Sequence, residues 1–569
     1  YPTIADMFLT LDREPELNIM STLSTQLFTC PSNSTSIIQH GDISRIFASI
    51  YGFLSTGRIE APCTVDVSHE IDMMSLKNRR WGQIFFDIGY ILSRSFDSHK
   101  ILSCNIIPMA CDILALFQGR PVLRRESKNH VEYESPDYTA FFHAILVIYQ
   151  FGEYIAQCLN GVKDNSPRIT LSSNAINYVI QFLLRLELNE YPCLLDGCVD
   201  IDLSGETKAI TEPKHKTAIR DYRIDKGKVS FLHPIHSFLS WLIELSNFES
   251  IDDLKKVLHQ SAHSNPSKSD LKSDTLTTIF EYPIRTIVLM SQIKSGFWVR
   301  NGFSVRTQLQ LYRNTGLRES GYLRDLFLLQ IFVNCYNPDT FCYFLFNRWL
   351  LYDGWISTNT SSGELAESSL AYDQNTFPYM VEECLNFFIH LLTEDLYLKG
   401  YSNEEMNELR IRNEIIHSLC FGPINYSKLS SHIPDHITSE KRFDLILEDM
   451  SVFSPPTGLK DTGVYRLKEE YLDQVNPYYF NYTANTKDDA IKFVKERINK
   501  KSRIPTPEVV ITPKERKPEE LGIYKHIGNF STSEYFSLFL LKTLKFVFNE
   551  GVDKMDGLLE TILHLIHIC

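Results

Sequence analysis

The stretch from Glu404 to Tyr482 constrains the fold most, because its hydrophobic period changes in a fixed order. Ile411, Ile415, Ile416 and Leu419 lie at helical spacing, and Gly422-Pro423 stops that helix. Asn425 is placed to cap a second short helix around Leu429, which Pro434 ends. Ser439 is placed to cap a third, with Phe443, Ile446, Leu447 and Met450 on one face. Pro455-Pro456, a turn from Gly458 to Gly463 and a strand-like Val464-Tyr465-Arg466-Leu467 follow. Short helices followed by a β ribbon are the order of a winged helix, expected here over 404–482.

Many winged helices bind DNA, so charge decides the next step. Glu404 to Val475 holds eight Lys/Arg against thirteen Asp/Glu, a net of −5. The third helix offers Lys441 and Arg442 but also Glu440, Asp444, Glu448 and Asp449. Phosphate contacts supply most nucleic-acid affinity and need a positive face. The reading is therefore a protein-interaction or packing module, with a winged-helix nucleic-acid binder as the alternative. The whole chain, 569 residues with net charge −13, also argues against nucleic acid or an anionic membrane as partner.

The rest of the chain reads as helix. Trp81 to Gln118 holds two apolar helices. Ser135-Pro136-Asp137 is a helix start, and Phe141, Phe142, Ile145, Ile148, Tyr149 and Ile155 follow on one face up to Asn160-Gly161. That helix would be about 35 Å long, which suits a stacked scaffold better than a compact α/β enzyme. Asn174–Leu188, Pro234 to about Phe248, Leu276–Gly302, Tyr322–Trp349 and Phe377–Tyr397 are further helical runs. Val199, Ile201 and Leu203 alternate with Asp200 and Asp202, so a small β insert is expected about 196–232. Polar loops are expected at 260–274 and 357–369. The fold class is mostly α: an extended helical scaffold over 1–400, then the winged helix over 404–482. A basic, Pro-containing linker (483–530) leads to the start of a C-terminal helical region (531–569), which Ser531-x-x-Glu534 opens as a capping box. No fixed-period repeat is visible.

No constellation stands out as a catalytic, cofactor or metal site. His233-x-x-His236 and His564-x-x-His567 have ligand-like spacing, but no third ligand is near in sequence, and packing is the better reading. Asp196, Asp200 and Asp202 lack the spacing of a calcium loop and read as the outer face of a strand. Phosphate-binding and nucleophile-elbow motifs are absent. The basic run 487–503, seven Lys/Arg against three Asp/Glu, reads as a solvated helix face rather than a patch for an acidic partner. The twelve cysteines are scattered without a C-x-x-C, as for reduced thiols in a cytoplasmic protein, with the nucleus a second compartment. No apolar run is long enough to span a membrane. The chain starts at Tyr1 without an initiator Met and ends at Cys569 in apolar helical sequence, so it reads as an internal piece of a longer protein.

Several ordered motifs carry a resemblance. Arg412-x-Glu414-Ile415-Ile416-His417-x-Leu419-Cys420-x-x-Pro423, then Gly463-Val464-Tyr465-x-Leu467-Lys468 and Tyr478-Tyr479-Phe480-x-Tyr482, resemble the winged-helix region of UBR-box E3 ubiquitin ligases, the N-recognins of the N-degron pathway, most of all the fungal type. Glu281-Tyr282-Pro283-x-Arg285, Trp298-x-Arg300-Asn301-Gly302, Asp325-x-x-x-Leu329-Gln330 and Asn337-Pro338-Asp339-x-Phe341 extend it upstream. The resemblance implies the central scaffold of a RING-type ligase that passes ubiquitin from an E2 to lysines of N-degron substrates for proteasomal degradation. Zinc would belong to the UBR box and the RING, on either side of this segment. No cofactor and no catalytic residue is implied here. Internal-degron substrates and the proteasome are further partners that the resemblance raises.

Overall fold

A computed structural model describes residues 19–56, 81–94, 102, 106–119, 123–125, 132–134, 138–187, 230–263, 275–297, 303–314, 317–356, 376–456, 458, 462–502, 509–514 and 516–569. The chain is mostly α. The first half runs through helices Ile19–Phe28 (α1), Pro31–Gln39 (α2), Asp42–Thr56 (α3), Trp81–Arg94 (α4) and Ile106–Ala115 (α5). A small antiparallel pair, Leu123–Arg125 (β1) and Glu132–Glu134 (β2), precedes Tyr138–Gln157 (α6) and Asn165–Glu187 (α7). Then come Pro234–Glu244 (α8), Ile251–His263 (α9), Thr275–Lys294 (α10), Phe303–Asn314 (α11), Leu323–Cys335 (α12), Pro338–Arg348 (α13) and Phe377–Thr393 (α14). The expected β insert and Asp196, Asp200 and Asp202 lie outside the described residues, apart from the insert's last residues, 230–232. The expected loop 357–369, the cap at Ser135 and most of 260–274 also lie outside them.

Two glycines mark where these helices pack tightly against a neighbour's side chain. A Cβ on Gly89 would come within 2.7 Å of Tyr154, and one on Gly152 within 3.2 Å of Phe238. Glycine at both places leaves room for those side chains where α4 packs on α6 and α6 on α8. A π turn, Arg318–Tyr322, runs straight into α12. Such turns insert one residue into the helical ladder and often sit at functional positions.

The winged helix follows in the expected order. Asn403–Leu419 (α15) opens with a capping box between Ser402 and Glu405. Ile424–Asn425 (β3), Tyr426–His432 (α16), Asp435–Thr438 (α17), Phe443–Met450 (α18), Ser451–Ser454 (β4) and Val464–Leu467 (β5) complete it, in an antiparallel sheet of order β3-β5-β4. Asn425 caps α16 by accepting from Lys428 N at 2.8 Å. Ser439 is not the cap of α18: the helix starts four residues later, at Phe443, with Arg442 in the cap position and no side-chain bond. Ile411, Ile415, Leu419, Leu429, Phe443, Leu447, Met450 and Leu467 form a core separate from that of the body.

The stretch read as a linker, 483–530, forms the long helix Ala484–Lys501 (α19) and, later, two 3-10 turns, Pro518–Tyr524 and Ile527–Thr532. Leu521, Tyr524, Ile527 and Phe530 are buried in the large body core. Glu534–Glu550 (α20) and Asp556–Ile568 (α21) close the chain as a hairpin. Ser533, not Ser531, caps α20, because the preceding turn holds Ser531 to Gly528 O. Among the described residues no helix is long and apolar enough to cross a membrane.

Candidate functional site

The residues that sequence patterns singled out for metal do not form a centre. His233 and His236 are both buried, and Gln118 contacts the Nδ1 of each, at 3.2 and 3.0 Å. His233 Nε2 lies 2.9 Å from Ser230 O, and its backbone N–H donates to Tyr149 Oη at 2.8 Å. Burial lowers the His233 imidazole to about 3 and drives His236 well below its ordinary value, so both are neutral packing residues. His564 is buried and stacks on Tyr478 with ring centroids 3.8 Å apart, while His567 faces solvent. Among the described residues no group of three His, Cys, Asp or Glu could hold a metal ion.

The polar chemistry of the chain gathers instead where the body meets the winged helix. Arg318, in the π turn, reaches Glu414 of α15 at 2.8 Å. Tyr479 Oη donates to the same carboxylate oxygen at 2.6 Å. One turn away in the interface, Arg410 of α15 pairs with Glu319 at 3.1 Å and donates to Tyr397 Oη at 2.6 Å. Arg324 pairs with Glu244 and lies between the rings of Trp241 and Tyr397, 3.5 and 3.8 Å from their centroids. Arg313 donates to the carbonyl of Phe480. Tyr478, Tyr479 and Phe480 belong to the body core although they end the winged-helix sequence. They plug one unit into the other, each ring contributing roughly 1.5–3 kcal/mol of apolar burial.

His417 fixes the plug from the winged-helix side. It stacks on Tyr479 at 3.9 Å, its Nδ1 lies 2.8 Å from Asn413 O, and its Nε2 accepts from Asn476 N at 3.1 Å. That pattern requires the neutral ring, and burial lowers its pKa to about 4. Deeper in the body, Glu281 is held between Arg285, at 2.6 Å, and Arg348. Burial alone would raise its pKa, but the two guanidiniums outweigh that and hold it down to about 2. Asp325 accepts from Tyr312 Oη at 2.6 Å, and burial pushes it up to about 7. Gln330 ties α12 to the end of α14 through Leu391 O and Glu394 O.

A second set of ties runs through α19. Arg497 pairs with Glu469 at 2.6 Å and with Asp473, and Lys501 also pairs with Asp473. Lys495 pairs with Glu560 of α21, and Lys487 with Glu382 of α14 at 3.1 Å. Four cations of the basic run, Lys487, Lys495, Arg497 and Lys501, thus pair within the chain. They link the winged helix, the body and the C-terminal hairpin. At the hairpin itself, Asp339 accepts from Ser533 Oγ at 2.7 Å and from Glu534 N at 2.9 Å, so a residue of α13 completes the cap of α20.

Sequence reasoning named Asp325, Gln330, Asp339, Glu281, Glu414 and the Tyr478–Phe480 run as motif members but not Arg318, Arg324 or Arg410. The available signal was a pair of arginines, 318 and 324, placed just before and at the start of the apolar run Leu326–Val333. Trp298-x-Arg300-Asn301-Gly302 lies outside the described residues.

The structure thus comprises two units, a helical body and a winged helix pinned to it by buried ion pairs. Comparison with known proteins gives the family. Residues 1–387 match the UBR1/2/3-like ARM repeat domain, and 410–509 match the winged-helix domain of E3 ubiquitin-protein ligase UBR1-like proteins. The chain belongs to the UBR1/2/3-like family. It is 25% identical to E3 ubiquitin-protein ligase UBR2 of Saccharomyces cerevisiae over 98% of its own length and 30% of the relative's. To E3 ubiquitin-protein ligase ubr1 of Schizosaccharomyces pombe it is 26% identical, over 99% of the chain and 27% of the relative. To E3 ubiquitin-protein ligase UBR1 of S. cerevisiae it is 27% identical, over 98% of the chain and 26% of the relative. The chain therefore spans less than a third of the relatives it matches. The body's ARM-repeat character is an addition to the sequence reading, which found no period: its helices vary from 9 to 23 residues.

Proposed function

We propose that this chain is the central scaffold of a RING-type E3 ubiquitin ligase of the N-degron pathway. It would hold degron-reading modules at a fixed distance and angle from the RING-bound E2. Ubiquitin passes from the E2 cysteine to a substrate lysine, so what such a ligase adds is placement. Holding two reactants in register removes translational and rotational freedom from the step and can lower its barrier by several kcal/mol. The observation that carries this reading is the joint, where Arg318–Glu414 and the Tyr478–Phe480 plug fasten the winged helix onto the body. The relatives' names support it too, since each is called an E3 ubiquitin-protein ligase. The expected partners are a ubiquitin-charged E2, N-degron and internal-degron substrates and the proteasome, in the cytoplasm and the nucleus.

The test uses the full-length protein with Glu414→Ala and Phe480→Ala combined. Ubiquitination of a substrate starting with Arg should slow, while degron-peptide affinity and E2 affinity stay at wild-type values. Unchanged ubiquitination in a variant whose joint is measurably looser by spin-label distances would sink the reading.

A further inference from the structure

We infer that the exposed face of α18, together with the aromatic rim beside it, docks an extended Lys/Arg-bearing segment of a partner protein. In a winged helix this third helix and the wing form the outward-facing side. Here that side is both apolar and acidic. Leu445 is 67% exposed and Phe453 is 52% exposed, and Tyr426 also faces solvent. Phe453 and Tyr465 rings stand 5.0 Å apart, and Tyr426 continues the row at 6.3 Å from Tyr465. The row therefore crosses the sheet from β4 over β5 to the start of α16.

Carboxylates fringe this row. Asp444, Glu448 and Asp449 share the exposed face of α18 with Leu445. Asp444 accepts from Tyr426 Oη at 3.2 Å, which sets a carboxylate beside an exposed ring. Two nearby cations are already engaged: Arg412 with Glu408 and Asp449, and Arg442 with Glu408. Among the described residues Glu448 has no ion-pair partner. A guanidinium or ammonium lying over an aromatic face with a carboxylate at its edge gains from both contacts. The same carboxylates repel phosphate, which sets nucleic acid aside as the occupant.

The backbone adds a direction. β4 is an edge strand. Lys468 N donates to Met450 O at 3.0 Å, so in this antiparallel register 452 and 454 are the residues hydrogen-bonded to β5. The N–H and C=O of Phe453 point outward, away from β5. An extended segment laid along β4 reaches that one peptide unit before Pro455-Pro456 ends the ladder. Side chains, apolar on Leu445 and Phe453 and basic on Asp444 and Glu448, carry the recognition. This surface lies apart from the joint, so the inference stands whether or not the scaffold reading holds.

The test is fluorescence anisotropy with the whole chain and a fluorescein-labelled twelve-residue peptide, Arg at every third position with Leu and Ser between. Saturable, salt-sensitive binding is expected, with the Arg→Glu peptide and a short duplex DNA not binding. Asp444→Lys with Glu448→Lys, and separately Leu445→Ser with Phe453→Ser, should each weaken binding roughly ten-fold, the scale of losing a central anchor. All four positions are on the surface, so the thermal midpoint should hold. Equal affinity in the variants and the wild type, absence of binding by the basic peptide, or equal binding of the Glu peptide or the DNA would overturn the inference.

Discussion

Arg318 of the body and Glu414 of the winged helix meet at 2.8 Å with 2% and 5% of their side chains exposed. Two charges taken that far out of water depend on each other. A single removal leaves the survivor uncompensated in a medium that solvates it poorly.

Glu414→Ala should therefore cost about 3–5 kcal/mol in chemical denaturation. The nearest remaining carboxylate to Arg318 is Glu319, at 3.8 Å. Replacing both partners, Arg318→Met with Glu414→Leu, should recover most of the loss, because apolar groups need no counter-charge. A double variant as unstable as the single one would show that the cost lies elsewhere.

The α19 ties should behave differently. Glu469 and Lys501 are largely exposed, and such pairs contribute little each. Asp473→Lys should move the unfolding midpoint by less than about 1 kcal/mol. The same change should broaden the spin-label distance distribution between the winged helix and α21. An unchanged distribution would mean that packing alone sets that geometry.

Acid should loosen the protein before it reaches the carboxylate range. His233, His236, His390, His417 and His564 are buried, and burial lowers each ring's pKa, to about 4 for His417 and His564. Below about 6.5 the unfolded chain binds protons that these folded rings refuse. Stability thus falls as pH drops from about 6.5 toward 4. Asp325 and Glu394 act the other way: burial raises them to about 7 and about 8, so they oppose the fall over the same window. The histidines outnumber them, and the net loss should appear as a lower thermal midpoint at pH 5 than at pH 7. His417→Gln should flatten that difference.

Asp339→Ala should cost about 1–2 kcal/mol, the scale of losing a helix cap. The loss should appear first as faster amide exchange in the opening turn of α20. Uniform exchange across α20 would argue that Ser533 suffices.

Local features were legible in the residues. Asn425 and its helix, the Gly422-Pro423 stop and the strand Val464–Leu467 depend on neighbours a few positions away. Ser531 misled because Ser533, two positions on, takes the cap, and Ser439 misled because the helix begins later, at Phe443, with Arg442 in the cap position. The joint was legible only as motif letters. Glu414 lies nearly a hundred positions from Arg318, and nothing local says which arginine it meets. The ion pairs of the basic run were hidden for the same reason, since their carboxylates come from 382, 469, 473 and 560.

The contact between Asp339 and Ser533 also spans 194 positions. A ribosome adding roughly 5–20 residues per second needs about 10–40 s to cross that interval. Through that wait, Phe341 and Phe388 lack the ring of Phe530, which finally lies against both. That face of the body is completed only when the turn carrying Phe530 and the hairpin after it arrive.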